Sequence, residues 1–377
     1  MARARLQIDA FMALLRAGLW EQGVKLMPYD PLDFDALYEL ADEQSVIGLL
    51  AAGLEHVEDR KVTKPEALKF LKKVFSLEGW NSEMNGFIEK LFRRLGKAGI
   101  HAVLVKGQGV AQCYGRPQWR SYGDVDLLMD DGYYARAKAF LTTRAESVEV
   151  EDVDKKHIGM TIDSWTVELH GTLHNGLSRR VDRVIDEIQE DTLRGGHVRM
   201  WRNGDTDIPL PGVDNDILFV FTHFLQHFFH GGIRLRQVCD WSRLLWTYRD
   251  SIDRDLLESR LRRMGLMSEW RAFASLAVRY LGHPGSAMPM YRASRLYERK
   301  GDRVLDLILK KGSLRSITDS GQSDSIPTLR RKLLTIWRQL KESVSFVRIF
   351  PLDSFKFLGF FFVEGFQRTR HTTKMGV

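Results

Sequence analysis

The sequence predicts an α+β protein, with a small mixed sheet mid-chain flanked by helical N-terminal and C-terminal regions. Three observations predict it. Over residues 1–95 apolar residues recur at helical spacing, as at Leu37, Leu40, Val46, Leu49 and Leu50. Between 96 and 213 short apolar runs alternate with turn residues and helix-compatible stretches. From Asp214 the helical spacing returns, with Ile217, Val220, Phe221, Phe224, Leu225 and Phe228 on one helix face. A chain of 377 residues exceeds a usual single core, so these segments (1–95, 96–213 and 214–377) are the expected domains.

Each element has a local signal. Leu6, Phe11, Leu14 and Leu15 mark a first amphipathic helix, and Asp30-Pro31 and Thr63-Lys64-Pro65 break the helices that follow. A long helix is expected from about Pro65 to Lys97, closed by Gly96 and Gly99. His101–Val105 reads as a strand running into Lys106-Gly107-Gln108-Gly109, with helix-compatible residues from Val110 to Tyr114. Asp131–Arg144 suits a helix, Glu146–Val150 a strand, and Gly159–Trp165 a strand beside Thr166–His170. Val198–Trp201 and Ile208–Leu210 flank an Asn203-Gly204 turn, a hairpin signature. Ser316–Pro327 is loop-like, and the apolar Phe355–Phe366 is too short for a membrane span and suits a docking helix.

The chemistry is concentrated in Arg120-Ser-Tyr-Gly-Asp-Val-Asp-Leu-Leu-Met129. Strand alternation sends Val125 and Leu127 into a core and leaves Asp124 and Asp126 together on the other face. Two like charges held together suit a divalent cation. In Thr166-Val-Glu-Leu-His170 the same alternation places Glu168 and His170 on one face, making Glu168 a third carboxylate. The strand–glycine turn–helix upstream is an anion-site pattern, with Lys106 as a point charge. An acidic pair at a strand end and a lone strand-end His are more often structural than catalytic; their combination with the glycine turn carries the inference.

Together, Val105-Lys106-Gly107, Arg120 with Asp124-Val-Asp126-Leu-Leu128, and Glu168-Leu-His170 resemble the uncharacterised bacterial branch of the DNA polymerase β-type nucleotidyltransferases. The closest match covers roughly residues 96–175. The resemblance implies a nucleotidyltransferase core and transfer of an NMP from an NTP to an acceptor hydroxyl. Asp124, Asp126 and Glu168 would be the catalytic and metal-holding residues, for Mg²⁺ or Mn²⁺. Lys106, Gly107, Gln108 and Arg120 would bind nucleotide phosphates. The wider superfamily prefers Gly-Ser or Gly-Gly at the phosphate turn, and Gln108 departs from that pattern.

Other residues keep two readings open. His223, His227 and His230 share a face opposite the apolar one and suit a polar junction, a zinc pair, or the lining of a cleft. His170, His223, His227 and Arg234 are the cleft candidates. Arg234, Arg236 and Asp240 suit an ion-pair set or phosphate binding, and Arg120 also suits pairing with a nearby carboxylate. Trp119 and Tyr122 bracket the acidic loop and are candidates for base stacking. With 56 basic and 49 acidic residues well mixed (net +7), polyphosphate is attracted, and nucleic acid is an allowed but unfavoured partner. Two cysteines, no signal-peptide pattern and no membrane span point to the cytosol. The acceptor is a small molecule, a sugar, a protein hydroxyl or nucleic acid. The alternative, prompted by Gln108, is a catalytically inactive nucleotide-binding or scaffolding protein with the same fold.

Overall fold

A computed structural model describes residues 2–230, 232–318 and 349–350. Helices α1 (Ala2–Trp20), α2 (Phe34–Glu43), α3 (Ile47–Glu55) and α4 (Lys64–Lys97) lead into β1 (Val103–Val105), α5 (Gly107–Ala111), β2 (Val125–Leu128) and α6 (Asp131–Thr142). Strands β3 (Ser147–Val148), β4 (His157–Ile162) and β5 (Trp165–His170) precede α7 (Arg179–Leu193) and the hairpin β6 (Val198–Asn203)–β7 (Thr206–Pro211). The chain then forms α8 (Val213–His230), α9 (Leu235–Thr247), α10 (Arg254–Met264), α11 (Met267–Tyr280) and α12 (Arg295–Thr318). This is the α+β architecture expected, with a mixed five-stranded sheet in the order β1-β2-β5-β4-β3.

Strand β2 pairs parallel with β5 and antiparallel with β1, and β5 pairs antiparallel with β4. The register sets Asp126 opposite Glu168, Leu128 opposite His170, and His157 opposite His170 across the other edge of β5. One face of the sheet is apolar. Leu104, Val125, Leu127, Ile158, Met160, Val167 and Leu169 pack with Met84, Ile88 and Leu91 of α4 and Ala137 and Leu141 of α6. Burying each such side chain contributes about 1.5–3 kcal/mol, which fixes which face turns inward.

The other core joins the two ends of the chain. Phe11, Leu14 and Leu15 of α1 share it with Phe221 and Phe224 of α8, Trp241 of α9 and Trp270 of α11. Among the described residues, helices of the expected 1–95 and 214–377 segments share this cluster. Helix α4, 34 residues long, serves both clusters: Phe70 and Val74 enter the joint helical core, and Met84 to Leu95 cover the sheet. Its start is a capping box, in which the Glu66 carboxylate accepts from the Thr63 backbone N–H at 2.7 Å. Gly53 lets α3 lie against α1, since a Cβ there would come within 2.2 Å of the Leu14 carbonyl oxygen.

Two turns differ from the sequence expectation. The strand expected over 159–165 is broken at Asp163-Ser164, where both residues take positive φ (49° and 68°) to close the β4–β5 hairpin. Such primed turns match strand twist, but their usual Asn-Gly or Asp-Gly signal is missing from Asp-Ser. In the second hairpin Asn203 pairs with Thr206, so the loop is Gly204-Asp205 rather than Asn203-Gly204. Gly204, at φ 57°, takes the positive-φ position that suits glycine. Ser316–Thr318 end α12; the remainder of the expected 316–327 loop and the Phe355–Phe366 segment lie outside the described residues. No helix of the described residues is long and apolar enough to cross a membrane.

His283, just after α11, is 1% exposed and packs edge-on to Trp20 and Trp246. Its Nδ1–H donates to the Pro284 carbonyl at 3.0 Å, while Nε2 has no hydrogen-bond partner. Burial, the largest cause, brings its pKa down to about 4. Between the unfolded value and 4 the unfolded chain binds a proton that the folded chain does not, so stability falls as pH falls through that window. Urea unfolding of the wild type should lose roughly 3 kcal/mol more than His283→Phe on going from pH 7 to below pH 4. Equal losses in the two proteins would show that His283 does not carry this proton.

Candidate active site

The polar face of the sheet forms the floor of a cavity of about 480 Å³, and α8 and α9 supply its other wall. Alternation places Asp126 on β2 and Glu168 and His170 on β5 toward it, while Val125, Leu127, Val167 and Leu169 enter the core behind. Asp124 stands at the cavity rim, one residue ahead of β2. Burial, then the negative charges of Glu168 and Asp126, raise its pKa. Three carboxylates thus converge at one place against their mutual repulsion.

Cationic and imidazole groups offset part of that repulsion. Lys106 Nζ lies 2.8 Å from Asp126 Oδ1, and His170 Nε2 lies 2.9 Å from the same oxygen. His170 Nε2 is also 3.4 Å from Glu168 Oε2, and His157 Nε2 is 3.2 Å from it. Hydrogen bonds from His157 and His170 hold the Glu168 carboxyl far below the usual carboxylate range, and the bond to Glu168 raises His157. Glu168 is therefore held as the anion. Among the described residues the group of metal-capable side chains close enough to share one ion is His157, Glu168 and His170.

The glycine turn is built on strain. Lys106 sits at φ 60°, ψ −143°, and Gly107 follows at φ 40°. A non-glycine residue held there costs about 1–3 kcal/mol, and such outliers concentrate at functional sites. Here the outlier accompanies the ion pair of Lys106 with Asp126. Helix α5 starts at Gly107 and runs only five residues, in place of the helix expected over 110–114.

Gln108 is a correction to the sequence reading. Its side chain is 4% exposed and turns away from the cavity; Nε2 donates to Asn81 Oδ1 at 2.7 Å, 3.3 Å from Met84 Sδ. It locks the turn to α4 and offers no side-chain donor to a phosphate. Arg120 is likewise engaged. Its guanidinium makes two bonds to the buried Asp240, Nε to Oδ1 at 2.7 Å and Nη2 to Oδ2 at 2.8 Å. Tyr114 also donates to Asp240 Oδ1, at 2.7 Å. Of the two sequence readings of Arg120, the carboxylate pairing is the one present.

The histidine face of α8 does reach the cleft. His223 and His227 both line the cavity, with ring centroids 4.6 Å apart. Burial, then the Lys106 charge, holds His223 well below its ordinary pKa, so its imidazole is neutral. Arg234 does not reach the cavity: it is exposed and its Nη1 donates to Ser45 Oγ at 2.9 Å. Arg236 lines it instead: Arg234 is the extended N-cap residue of α9, whereas Arg236 lies within its first turn. Arg236 Nη1 donates to the carbonyls of Ser121 and Tyr122 at 2.7 and 2.9 Å, and its Nε has no hydrogen-bond partner. Burial, then the neighbouring Arg120, lowers its pKa to about 10, so at neutral pH it carries its charge beside Asp124.

Trp119 and Tyr122 lie outside the cavity wall. The Trp119 indole donates to Glu78 at 2.6 Å, and Tyr122 packs with Trp80 and Trp165 at centroid separations of 6.0 and 6.1 Å. Sequence reasoning missed His157. Its only sequence signal is a polar residue opening an alternating run, and its place beside His170 depends on the β4–β5 register.

The chain matches a family model described as an uncharacterised nucleotidyltransferase over residues 30–282, more than half of its length. It belongs to that family. The match to this nucleotidyltransferase family runs from the turn before α2 through α11, so it takes in both cavity walls as well as the sheet. No curated protein and no solved structure matches the chain.

The Arg120–Asp240 pair generates a stability prediction. Removing one partner of a buried ion pair typically costs about 3–5 kcal/mol, because the other charge is left uncompensated. Asp240→Asn should therefore destabilise by about that much in urea unfolding. If Arg120 were free to serve phosphate instead, Asp240→Asn would unfold close to the wild-type midpoint.

Proposed function

We propose that this nucleotidyltransferase moves an NMP unit from an NTP to an acceptor hydroxyl in a reaction that depends on divalent cations. The observation that carries the reading is the convergence of Asp124, Asp126 and Glu168 on one cavity bordered by Lys106 and Arg236. A donor set of clustered carboxylates fits a hard divalent cation that also takes oxygens from substrate phosphates. Asp124, Asp126 and Glu168 would hold two Mg²⁺ or Mn²⁺ ions, which when bound supply phosphate charge neutralisation and activation of the acceptor oxygen.

The chain's own residues do the rest. Lys106 and the backbone N–H groups from Gly107 face the anionic tail of the donor from one side, and Arg236 faces it from the other. The bond from the acceptor oxygen to the α-phosphorus forms as the bond to pyrophosphate breaks; the acceptor's proton leaves to solvent, pyrophosphate departs with the bonding pair, and bound cations would counter the charge that develops there. Glu168, held ionised by its imidazole partners, would act as a ligand. Neutral His223 offers hydrogen bonding to a sugar or acceptor group without adding charge. Phe219, Val220 and Phe224 line the α8 wall and limit water around the reacting phosphate.

The buried and unpaired Cys113 and Cys239 support a cytosolic setting for this activity. A nucleotide-binding or scaffolding protein without turnover is the second reading. It is favoured by Gln108, whose side chain is committed to Asn81 rather than to the turn's open side.

Pyrophosphate release from each of four NTPs, with Mg²⁺ or Mn²⁺ and candidate acceptors, tests the proposal together with thermal unfolding. An NTP at about 100 times its Kd should stabilise the chain by roughly 2.7 kcal/mol. Asp124→Asn and Asp126→Asn should each lower turnover by about a hundredfold or more, since removing a cation ligand forfeits several kcal/mol of transition-state stabilisation. Turnover near the wild-type rate in either variant would refute the assignment. Stabilisation by an NTP with no pyrophosphate release under any condition would favour the second reading.

A further inference from the structure

Glu168 does not face the cavity as a bare carboxylate. The Nε2 atoms of His157 and His170 converge on its Oε2, at 3.2 and 3.4 Å, and all three ligand atoms lie within 4.8 Å of one another. Metal–ligand bonds of about 2.0–2.1 Å in tetrahedral geometry place neighbouring ligand atoms about 3.3–3.5 Å apart. Two of the three separations, now bridged by hydrogen bonds, are therefore close to those of a first coordination shell. The arrangement is imposed by the sheet: His157 and His170 are direct partners across β4 and β5, and Glu168 is two residues from His170 on the same face.

We propose that His157, Glu168 and His170 form an imidazole–carboxylate metal site that takes a first-row transition cation such as Mn²⁺ or Zn²⁺ in preference to Mg²⁺. Mg²⁺ is a hard ion that selects oxygen ligands and resists dehydration, so two imidazoles are a poor set for it. Imidazole nitrogen suits the later first-row ions, whose affinity for mixed nitrogen–oxygen sites rises along the series. The site is also open on one side, as a substrate-facing metal requires. The His157 side chain is 32% exposed and lines the cavity, while Asp126 Oδ1 meets the same His170 Nε2 at 2.9 Å. The inference rests on the NMP-transfer reading for what the cation does there, but not for whether it binds.

The alternative role for the two histidines is hydrogen bonding alone, to hold Glu168 in place. That role predicts parallel losses of Mn²⁺ and Mg²⁺ affinity when His157 is replaced, with no change in selectivity. The full-length chain, stripped of metal, would be titrated without nucleotide with MnCl₂, followed by the paramagnetic signal of free Mn²⁺, and with ZnCl₂ and MgCl₂ by calorimetry. His157→Ala and the polar His157→Gln would be compared with the wild type, with circular dichroism checking that each is folded. The wild type should bind Mn²⁺ at least about tenfold more tightly than Mg²⁺, and both variants should lose about tenfold or more in Mn²⁺ affinity with little change for Mg²⁺. Equal affinity for Mn²⁺ and Mg²⁺, parallel losses for the two cations in the variants, or wild-type Mn²⁺ binding by the folded variants, would overturn the proposal. Pyrophosphate release measured in parallel separates the two readings. Intact Mn²⁺ selectivity without turnover discards NMP transfer alone, and Asp124-dependent turnover without selectivity discards the imidazole site alone.

Discussion

The register of β5 between β2 and β4 is the constraint on which the rest of this molecule depends. In that register Asp126 lies opposite Glu168 and His157 opposite His170, while Val125, Leu127, Val167 and Leu169 face the core. A one-residue slip would reverse every side chain. It would expose those four apolar residues, at about 1.5–3 kcal/mol each, and bury two carboxylates without partners. The same interaction that stabilises the sheet therefore assembles the polar floor of the cavity.

Holding like charges together has a cost, and the surrounding structure is arranged to meet it. Lys106, in a backbone conformation that disfavours any side chain, ion-pairs with Asp126. Two imidazoles flank Glu168. Asp124 feels the charges of Lys106 and Arg236, yet burial, Glu168 and Asp126 still raise its pKa, so an added cation would favour its ionised form. The strain at Lys106 and the residual repulsion at Asp124 sit within one small region, as expected where function and stability compete.

Helix α9 connects this region to the C-terminal helices. Asp240 holds Arg120 from below, and Arg236 holds the carbonyls of Ser121 and Tyr122 from the cavity side. Residues 120–122, just ahead of Asp124, are thus clamped by one helix. Because α1, α8, α9 and α11 share a single core, these N- and C-terminal helices act as one support beside the sheet. The family match over 30–282 takes in α8, α9 and α11 as well as the sheet, while α1 lies ahead of it.

Much of this was legible in local pattern. Period-two alternation around Asp124, Asp126 and Glu168 revealed which side chains face away from the core, and helical spacing on α8 put His223 and His227 opposite its apolar face. What required long-range pairing was hidden. The Asp163-Ser164 turn carries no glycine, so the β4 register, and with it His157, was out of reach. The exchange of Arg234 for Arg236 turned on where α9 begins. Arg120 and Gln108 found partners 120 and 27 residues away. The sequence by itself determined the fold class, the apolar and polar faces, and the carboxylates, because those follow from the fixed periodicity of helix and strand. Only the tertiary structure decided which charged groups are already paired and which remain for a ligand, because a side chain's partner is set by packing between elements remote in the chain.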